Sequence, residues 1–333
     1  MNSEDPRAQA IFAWLTTDLA LTVLDMQPAS SDASFRRYFR VTLPSKTWIV
    51  MDAPPERENI QPFIKMSALL NTAGVKAPQL FHVNSEQGFI ALEDFGSTSY
   101  LDQLHANPTE ADWLYQNAFN SLLTLQKNTD ISQLDLPAYD LALLTRELSI
   151  FSEWFLNAYL NLELPDGLQA EVNQFLIDSA LQQPKVLVHR DFHSRNLMVL
   201  QQDNPGILDF QDAVIGPITY DLVSLLKDCY ICWPGPRVDT WREAYLDRLK
   251  QANLIACDSQ QFKRWFDLMG MQRHLKAIGI FARLHLRDNK STYLKDIPRT
   301  LAYVSAVCAS YPELTDFNSY LNQTVLPVYS KKS

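Results

Sequence analysis

Cysteine is scarce in this chain: Cys229, Cys232, Cys257 and Cys308 are the only four in 333 residues. So low a count suits a reducing compartment and does not suggest a disulfide framework. A basic excess is missing too, since 38 acidic residues outnumber 29 Lys and Arg for a formal charge of -9. Nucleic acid and anionic membrane surfaces recruit clustered cations that displace counterions, so neither is expected as a partner, and the acidity reads as solubility. No apolar run approaches the roughly 20 residues that span a bilayer. Met1 to Pro6 also lacks the basic stretch and apolar core of a secretory signal, so the expected location is cytoplasmic. Cys229 and Cys232 form a C-x-x-C pair, but no second pair completes a zinc site. They follow Leu222, Leu225 and Leu226 at helical spacing and read as part of a packed helix.

What is present is an ordinary globular composition, 47% hydrophobic and 20% charged, in a chain long enough for two lobes or domains. Residues 8 to 19 read as an amphipathic helix, followed by β-rich runs at Leu21 to Met26, Arg37 to Leu43 and Thr47 to Ala53. Helical spacing returns at Ile60, Phe63, Ile64, Leu69 and Leu70. Two short strands, Gln79 to Val83 and Gly88 to Glu93, then flank a polar turn. This pattern predicts a small sheet with one inserted helix. After Gly96-Ser97-Thr98, a plausible hinge, the texture becomes helical: Ala111 to Leu125, Leu141 to Leu160, Leu168 to Leu181 and Phe262 to Leu286.

The densest polar chemistry runs from His189 to Asp221. His189-Arg190-Asp191-Phe192-His193-Ser194-Arg195-Asn196 is followed, across a short predicted hairpin, by Leu208-Asp209-Phe210-Gln211. The pattern H-R-D-x-x-x-x-N with a second Asp before Phe is that of phosphotransferases of the protein-kinase type. Phosphoryl transfer needs a carboxylate at the attacking hydroxyl and separate oxygen ligands that hold Mg²⁺ on the phosphates. Asp191 supplies the first as catalytic base. Asn196 and Asp209, brought together by the hairpin, supply the second. His189 and Asp221 read as anchors of the loop, not as acid or base. His193 and Arg195, between base and metal ligand, either touch substrate or phosphate or face solvent. A rival reading takes His189-x-Asp191-x-His193 as the zinc site of a hydrolase, but it leaves Asn196 and Asp209 without a role.

At these residues the chain resembles the aminoglycoside phosphotransferase and choline kinase family. That resemblance implies an α+β, bilobal protein-kinase-like fold: a small mixed α/β N-lobe with an antiparallel sheet, residues 1–95, binding ATP, and a larger, mainly helical C-lobe, residues 96–333. Ser31 to Arg40, Leu208 to Ala213 and Gln272-Arg273-His274-Leu275-Lys276 resemble, more narrowly, the bacterial anomeric N-acetylmuramate/N-acetylglucosamine kinases of cell-wall recycling. An aminoglycoside or other small-alcohol kinase and a non-catalytic nucleotide-binding protein are the alternatives.

By the same resemblance Asp32 to Arg37 form the turn over the ATP phosphates, with Ser34, Phe35, Arg36 and Arg37 as its binding residues, and Glu93 and Phe95 flank adenine where the lobes join. Two departures stand out. There is no G-x-G-x-x-G, and the third strand, Trp48 to Ala53, lacks the lysine that holds the phosphates in protein kinases, leaving Arg36, Arg37 or Lys65 to replace it. Substrate, expected to be an amino sugar, would meet Gln211, Asp212 and Arg273, with Arg273 or Arg283 for a muramic carboxylate. Otherwise Gln272, Lys276 and Arg283 form the wet face of a helix.

Overall fold

The computed structural model describes residues 5–31 and 35–332, so Asp32, Ala33 and Ser34 of the expected phosphate turn lie outside the described residues. The chain opens with α1 (Pro6–Ala13), which runs on as a π-helical turn to Asp18. Asp5 caps it by accepting from the Arg7 and Ala8 backbone N–H groups, and a proline near the start leaves no extra donor to satisfy.

Five antiparallel strands follow: β1 (Asp25–Ser31), β2 (Arg37–Thr42), β3 (Thr47–Asp52), β4 (Leu80–Asn84) and β5 (Phe89–Glu93), in the order β1-β2-β3-β5-β4. Period-two burial sends Phe39 and Val41 of β2 and Trp48 and Val50 of β3 into a core shared with Ile11, Trp14 and Leu15. β1 begins four residues later than the run Leu21 to Met26 expected from sequence. Leu21 and Val23 do pack on that core, but from outside the strand, which is the polar D-M-Q-P-A-S-S. It is an edge strand with a register shift at Pro28, the place where a residue without an N–H is tolerated. α2 (Gln61–Ala73) is inserted between β3 and β4 and stops at Gly74, whose φ of 90° closes the helix in the left-handed region.

Beyond the sheet the chain is helical, with short strands interspersed: α3 (Tyr100–Ala106), α4 (Ala111–Asn128), α5 (Leu141–Ile150) with a π-helical continuation Phe151–Leu160, and α6 (Asp166–Leu181). Then come β6 (Lys185–Val188), β7 (Leu197–Met198), β8 (Gly206–Ile207) and β9 (Val214–Pro217). Helices α7 (Tyr220–Leu226), α8 (Gly235–Gln251), α9 (Ser259–Asp288) and α10 (Ile297–Ser310) and shorter helical turns complete the fold. β6 pairs with β9, a four-residue strand that sequence periodicity did not reveal, and β7 pairs with β8. Among the described residues no helix is long and apolar enough to cross a membrane.

The chain forms two compact units, one of Met1–Ser121 and Asn196–Asp212, the other of Leu122–Arg195 and Ala213–Ser333. The lobes implied by the resemblance, 1–95 and 96–333, are continuous stretches of chain, whereas these units are compact groupings that take in a hairpin from further along. The β7–β8 hairpin is bonded into the first unit: Val199 N–H donates to the Thr98 carbonyl, Ile207 N–H to that of Lys76, and Asn204 Nδ2 to the Tyr100 hydroxyl.

In the second unit α9, 30 residues long, is buried on all sides over much of its length. Gln272 is fully buried and Arg273 nearly so, while the Lys276 side chain keeps 13% exposure, so these residues form no wet face. C-x-x-C lies beyond the end of α7, with Cys229 buried, Cys232 exposed and both thiols free.

Candidate active site

The loop after β6 is built around two buried carboxylates of the second unit. Asp221, at the start of α7, accepts the His189 N–H at 2.7 Å and the Arg190 N–H at 2.9 Å. Burial pushes its carboxyl up to about 7, against the pull of those two N–H groups. Asp228 does the same further along: one oxygen accepts Ser194 N–H at 3.0 Å and Ser194 Oγ at 2.6 Å, and the other accepts Tyr230 N–H at 2.8 Å. Between these anchors the His189 ring accepts Asp191 N–H through Nδ1 at 3.2 Å, and the His193 N–H closes a turn on the Asp191 carbonyl. Arg190 is held at a φ of 77°, a left-handed conformation uncommon for a residue with a Cβ, which the surrounding bonds over-determine.

Every bond to Asp191 named so far uses its backbone, and its side chain keeps 42% of its exposure. Burial of its surroundings would raise the carboxyl, but Lys276, His193 and Arg273 together outweigh that and hold it below the ordinary aspartate value. His193 Nε2 stands 4.0 Å from Asp191 Oδ1, and burial lowers the His193 imidazole. A partly exposed, ionised carboxylate in a cationic field is suited to accept a proton from a hydroxyl brought to it.

The cations come from a network that the sequence did not announce. Glu147, on the buried stripe Leu144, Glu147 and Leu148 of α5, pairs with Arg190 and with Lys276 Nζ at 2.8 Å. It also accepts from the Tyr139 hydroxyl and from Gln272 Nε2 at 3.1 Å. Burial would raise this carboxyl, yet Lys276 and Arg190 hold it down to about 2. Lys276 also donates to the Tyr220 hydroxyl at 3.3 Å. The signal available in sequence was Glu147 at the i, i+3, i+4 spacing of a buried face; its partners, up to 129 positions away, left no local trace.

In the first unit, the β7–β8 hairpin turns the chain back so that Leu208 N–H donates to the Asn196 carbonyl and Asn196 Nδ2 stands 3.4 Å from Asp209 Oδ2. Asp209 has a φ of 62°, and Gln211 Nε2 donates to its Oδ1 at 2.7 Å. Gln211 thus orients the aspartate. Asp212 is exposed. Turning the Asn196 amide over brings a second side-chain oxygen toward Asp209, so the pair offers hard oxygen donors. Among the described residues no three His, Cys, Asp or Glu form a metal-binding group, and His189-x-Asp191-x-His193 is therefore not a chelate. Two oxygen ligands completed by water and phosphate suit Mg²⁺, which dehydrates reluctantly.

Of the residues expected around a nucleotide, Ser34 falls outside the described residues. Phe35 is exposed, with its N–H donating to Glu58 Oε1 at 3.2 Å and Arg57 4.8 Å from its ring. Arg36 lies 3.8 Å from Glu58. Arg37 is engaged by carboxylates on two sides, Asp5 at 2.5 Å and the fully buried Asp52 at 2.6 Å, and Asp52 also takes Arg7 at 2.6 Å. This arrangement ties Arg37 and the end of β3, where a phosphate lysine was sought, into an internal network. Glu93 accepts Lys76 Nζ at 2.8 and 2.9 Å. Phe95 is buried, with Lys76 5.6 Å from its ring centre. Asp94, not singled out from sequence, takes a two-pronged contact from Arg40, which also donates to the Gly96 carbonyl. Gly96 has a φ of 80° at this turn.

On the substrate side Arg273 points inward, its Nη1 3.7 Å from Cys229 Sγ. Arg283 is half-buried and its guanidinium is lowered by burial and by Arg287. Arg195 instead lies over the face of Tyr230 at 3.7 Å, with Tyr293 at 5.8 Å.

The model of the phosphotransferase enzyme family APH matches residues 25–256. An N-acetylmuramate/N-acetylglucosamine kinase of Pseudomonas aeruginosa is 44% identical, with 96% of this chain and 97% of that protein covered. One of the same name from Neisseria meningitidis is 40% identical over 94% of each. Among solved structures, choline kinase LicA from Streptococcus pneumoniae superposes with a TM-score of 0.65 at 14% identity, covering 91% of this chain and 99% of that one. ADP-bound aminoglycoside phosphotransferase APH(2'')-Ib gives 0.59 at 13%, covering 91% and 98%. The fold is therefore the α+β, protein-kinase-like one, and with its family model matched over well beyond half its length, the chain belongs to the APH phosphotransferase enzyme family.

Proposed function

We propose that this chain is an ATP- and Mg²⁺-dependent kinase that phosphorylates the anomeric hydroxyl of N-acetylmuramate and N-acetylglucosamine. The observation that carries the reaction type is Asp191: a partly exposed, ionised carboxylate on a loop whose backbone is pinned by Asp221 and Asp228. The relatives from Pseudomonas and Neisseria bear the name of the sugars.

In this reading Asp191 orients the sugar hydroxyl and accepts its proton. The hydroxyl oxygen forms a bond to the γ-phosphorus while the bond from phosphorus to ADP breaks. Asn196 and Asp209 would hold Mg²⁺, which when bound neutralises charge on the phosphate oxygens. Gln211 keeps Asp209 oriented for that task. Arg36 and the backbone at Phe35 lie on the phosphate side, and Glu93 and Phe95 at the adenine side, so residues 1–95 serve as the nucleotide lobe and 96–333 as the catalytic and substrate lobe. His193 and Arg195 sit within the base loop on the sugar side. His189 and Asp221 keep the loop in place. Arg37, paired with Asp5 and Asp52, and Arg273, beside Cys229, act through those neighbours in this reading. An enzyme of this kind works in the cytoplasm, where ATP is found.

Mg²⁺-dependent ADP formation across N-acetylmuramate, N-acetylglucosamine, an aminoglycoside and choline tests this, with the phosphorylated position read by phosphorus NMR. A sugar 1-phosphate is expected. Transfer to the aminoglycoside or choline in its place would overturn the substrate, and ATP binding without transfer to any acceptor would overturn the enzyme.

A further inference from the structure

Arg195 stands apart from the other cations of the base loop. Arg190 and Lys276 are paired with Glu147, whereas among the described residues no carboxylate pairs with Arg195. Its guanidinium carbon is 3.7 Å from the centre of the Tyr230 ring, a stacking distance. A guanidinium stacked on a ring face turns its N–H edge away from that ring, leaving the planar fork open to a partner in its own plane. The seat is built. Asp228 grips Ser194 with one oxygen and the Tyr230 backbone with the other, so the residue after Ser194 is laid on the Tyr230 ring by fixed bonds. Tyr293, 5.8 Å from the guanidinium, stacks in turn on Phe281 at 5.8 Å. Burial raises the carboxyl of the buried Asp296, and the charge of Arg195 pulls it back without an ion pair between them.

We propose that Arg195, seated on Tyr230 and beside Tyr293, is the carboxylate subsite that reads the lactyl group of N-acetylmuramate. The inference rests on the function proposed above and adds how the two sugars are told apart. N-acetylmuramate differs from N-acetylglucosamine by a lactyl ether ending in a carboxylate, and a fork of parallel N–H donors matches that group two bonds at a time. The place in the chain fits, since Arg195 is four residues from Asp191 on the same pinned loop, so a sugar whose hydroxyl reaches Asp191 presents its ring substituents to the loop's other side chains. N-acetylglucosamine has no carboxylate and gains nothing from the fork. Of the other cations, Arg273 is engaged by Cys229, Arg190 and Lys276 by Glu147, and Arg283 is half-buried with its guanidinium lowered by burial and by Arg287.

The test is the specificity ratio, kcat/KM for N-acetylmuramate divided by that for N-acetylglucosamine, in the full-length protein and in Arg195→Met and Arg195→Lys. Loss of a charged, doubly hydrogen-bonded contact lowers the ratio by roughly 10- to 100-fold in Arg195→Met. Arg195→Lys, which keeps the charge without the fork, falls between. The methyl ester of N-acetylmuramate should be as poor for the wild-type protein as the acid is for Arg195→Met. Equal loss on both sugars, the signature of an arginine acting on the phosphate, overturns the proposal, as does an unchanged ratio. If the wild-type protein turns over neither sugar, the function itself falls, a result visible before any variant is made. Residual turnover of N-acetylglucosamine reports that each variant is folded.

Discussion

Each unit of the molecule contains a buried carboxylate clamped by two cations, and the two clamps differ in how much water they keep. In the first unit Asp52 is fully buried, but Arg7 and Arg37 keep 31% and 40% of their side-chain exposure. In the second unit Glu147 is as deeply buried, at 3%, and its cations Arg190 and Lys276 keep only 19% and 13%. The first clamp joins the start of the chain to the end of β3. The second joins α5 and α9 to the loop that carries Asp191. The comparison teaches that the same motif of one acid and two bases is a modest tie where the bases reach solvent and a costly one to break where they do not.

The sharpest division between the clamps is functional. Asp191→Asn should lower turnover by about 10²- to 10⁴-fold with ATP binding kept, measured by steady-state kinetics and nucleotide titration. Turnover near the wild-type value would remove the base and with it the reason for the second clamp. Glu147→Gln leaves Arg190 and Lys276 as uncompensated buried charges. It should cost roughly 3–5 kcal/mol in denaturant unfolding and reduce kcat along with it. A loss below about 1 kcal/mol would make the two clamps alike.

Acid offers the same contrast without mutation. The Glu147 carboxyl is depressed to about 2 in the folded chain, so its contribution is complete above the ordinary glutamate range near 4.5 and fades as pH falls from there toward 2. The shift corresponds to about 3 kcal/mol, lost across that window in an unfolding series and absent from the series in Glu147→Gln. Smallest is Asp52→Asn, about 1–2 kcal/mol, because water takes over part of the Arg7 and Arg37 solvation. A larger loss than that of Glu147→Gln would reverse the order.

How much of this was readable beforehand depends on the range of each interaction. The strands β2 to β5 and the spacing of Asp191, Asn196 and Asp209 were legible because alternation and motif are local in sequence. The hairpin bringing Asn196 to Asp209 was legible for the same reason: seven residues separate β7 from β8. β1 was misplaced because an edge strand carries polar residues, while the apolar Leu21 and Val23 pack on the core from outside it. α9 reads as amphipathic only if one side faces water, and none does around Gln272 and Arg273. Glu147 with Lys276 and Asp228 with Ser194 are tertiary pairings, and a sequence holds no record of them beyond a charge at a buried spacing. At Arg37 the sequence shows a cation in a turn and nothing of the distant carboxylates, Asp5 and Asp52, that pair with it.

Gly206 shows what one missing methyl group can set. A Cβ there would fall 2.5 Å from the Phe95 ring, and both residues belong to the first unit. The hairpin that bears Asn196 and Asp209 therefore rests flush against the aromatic residue assigned to adenine. Any residue larger than glycine at 206 would force the hairpin and the Phe95 ring apart, and with that change the spacing between that ring and the Asn196–Asp209 pair.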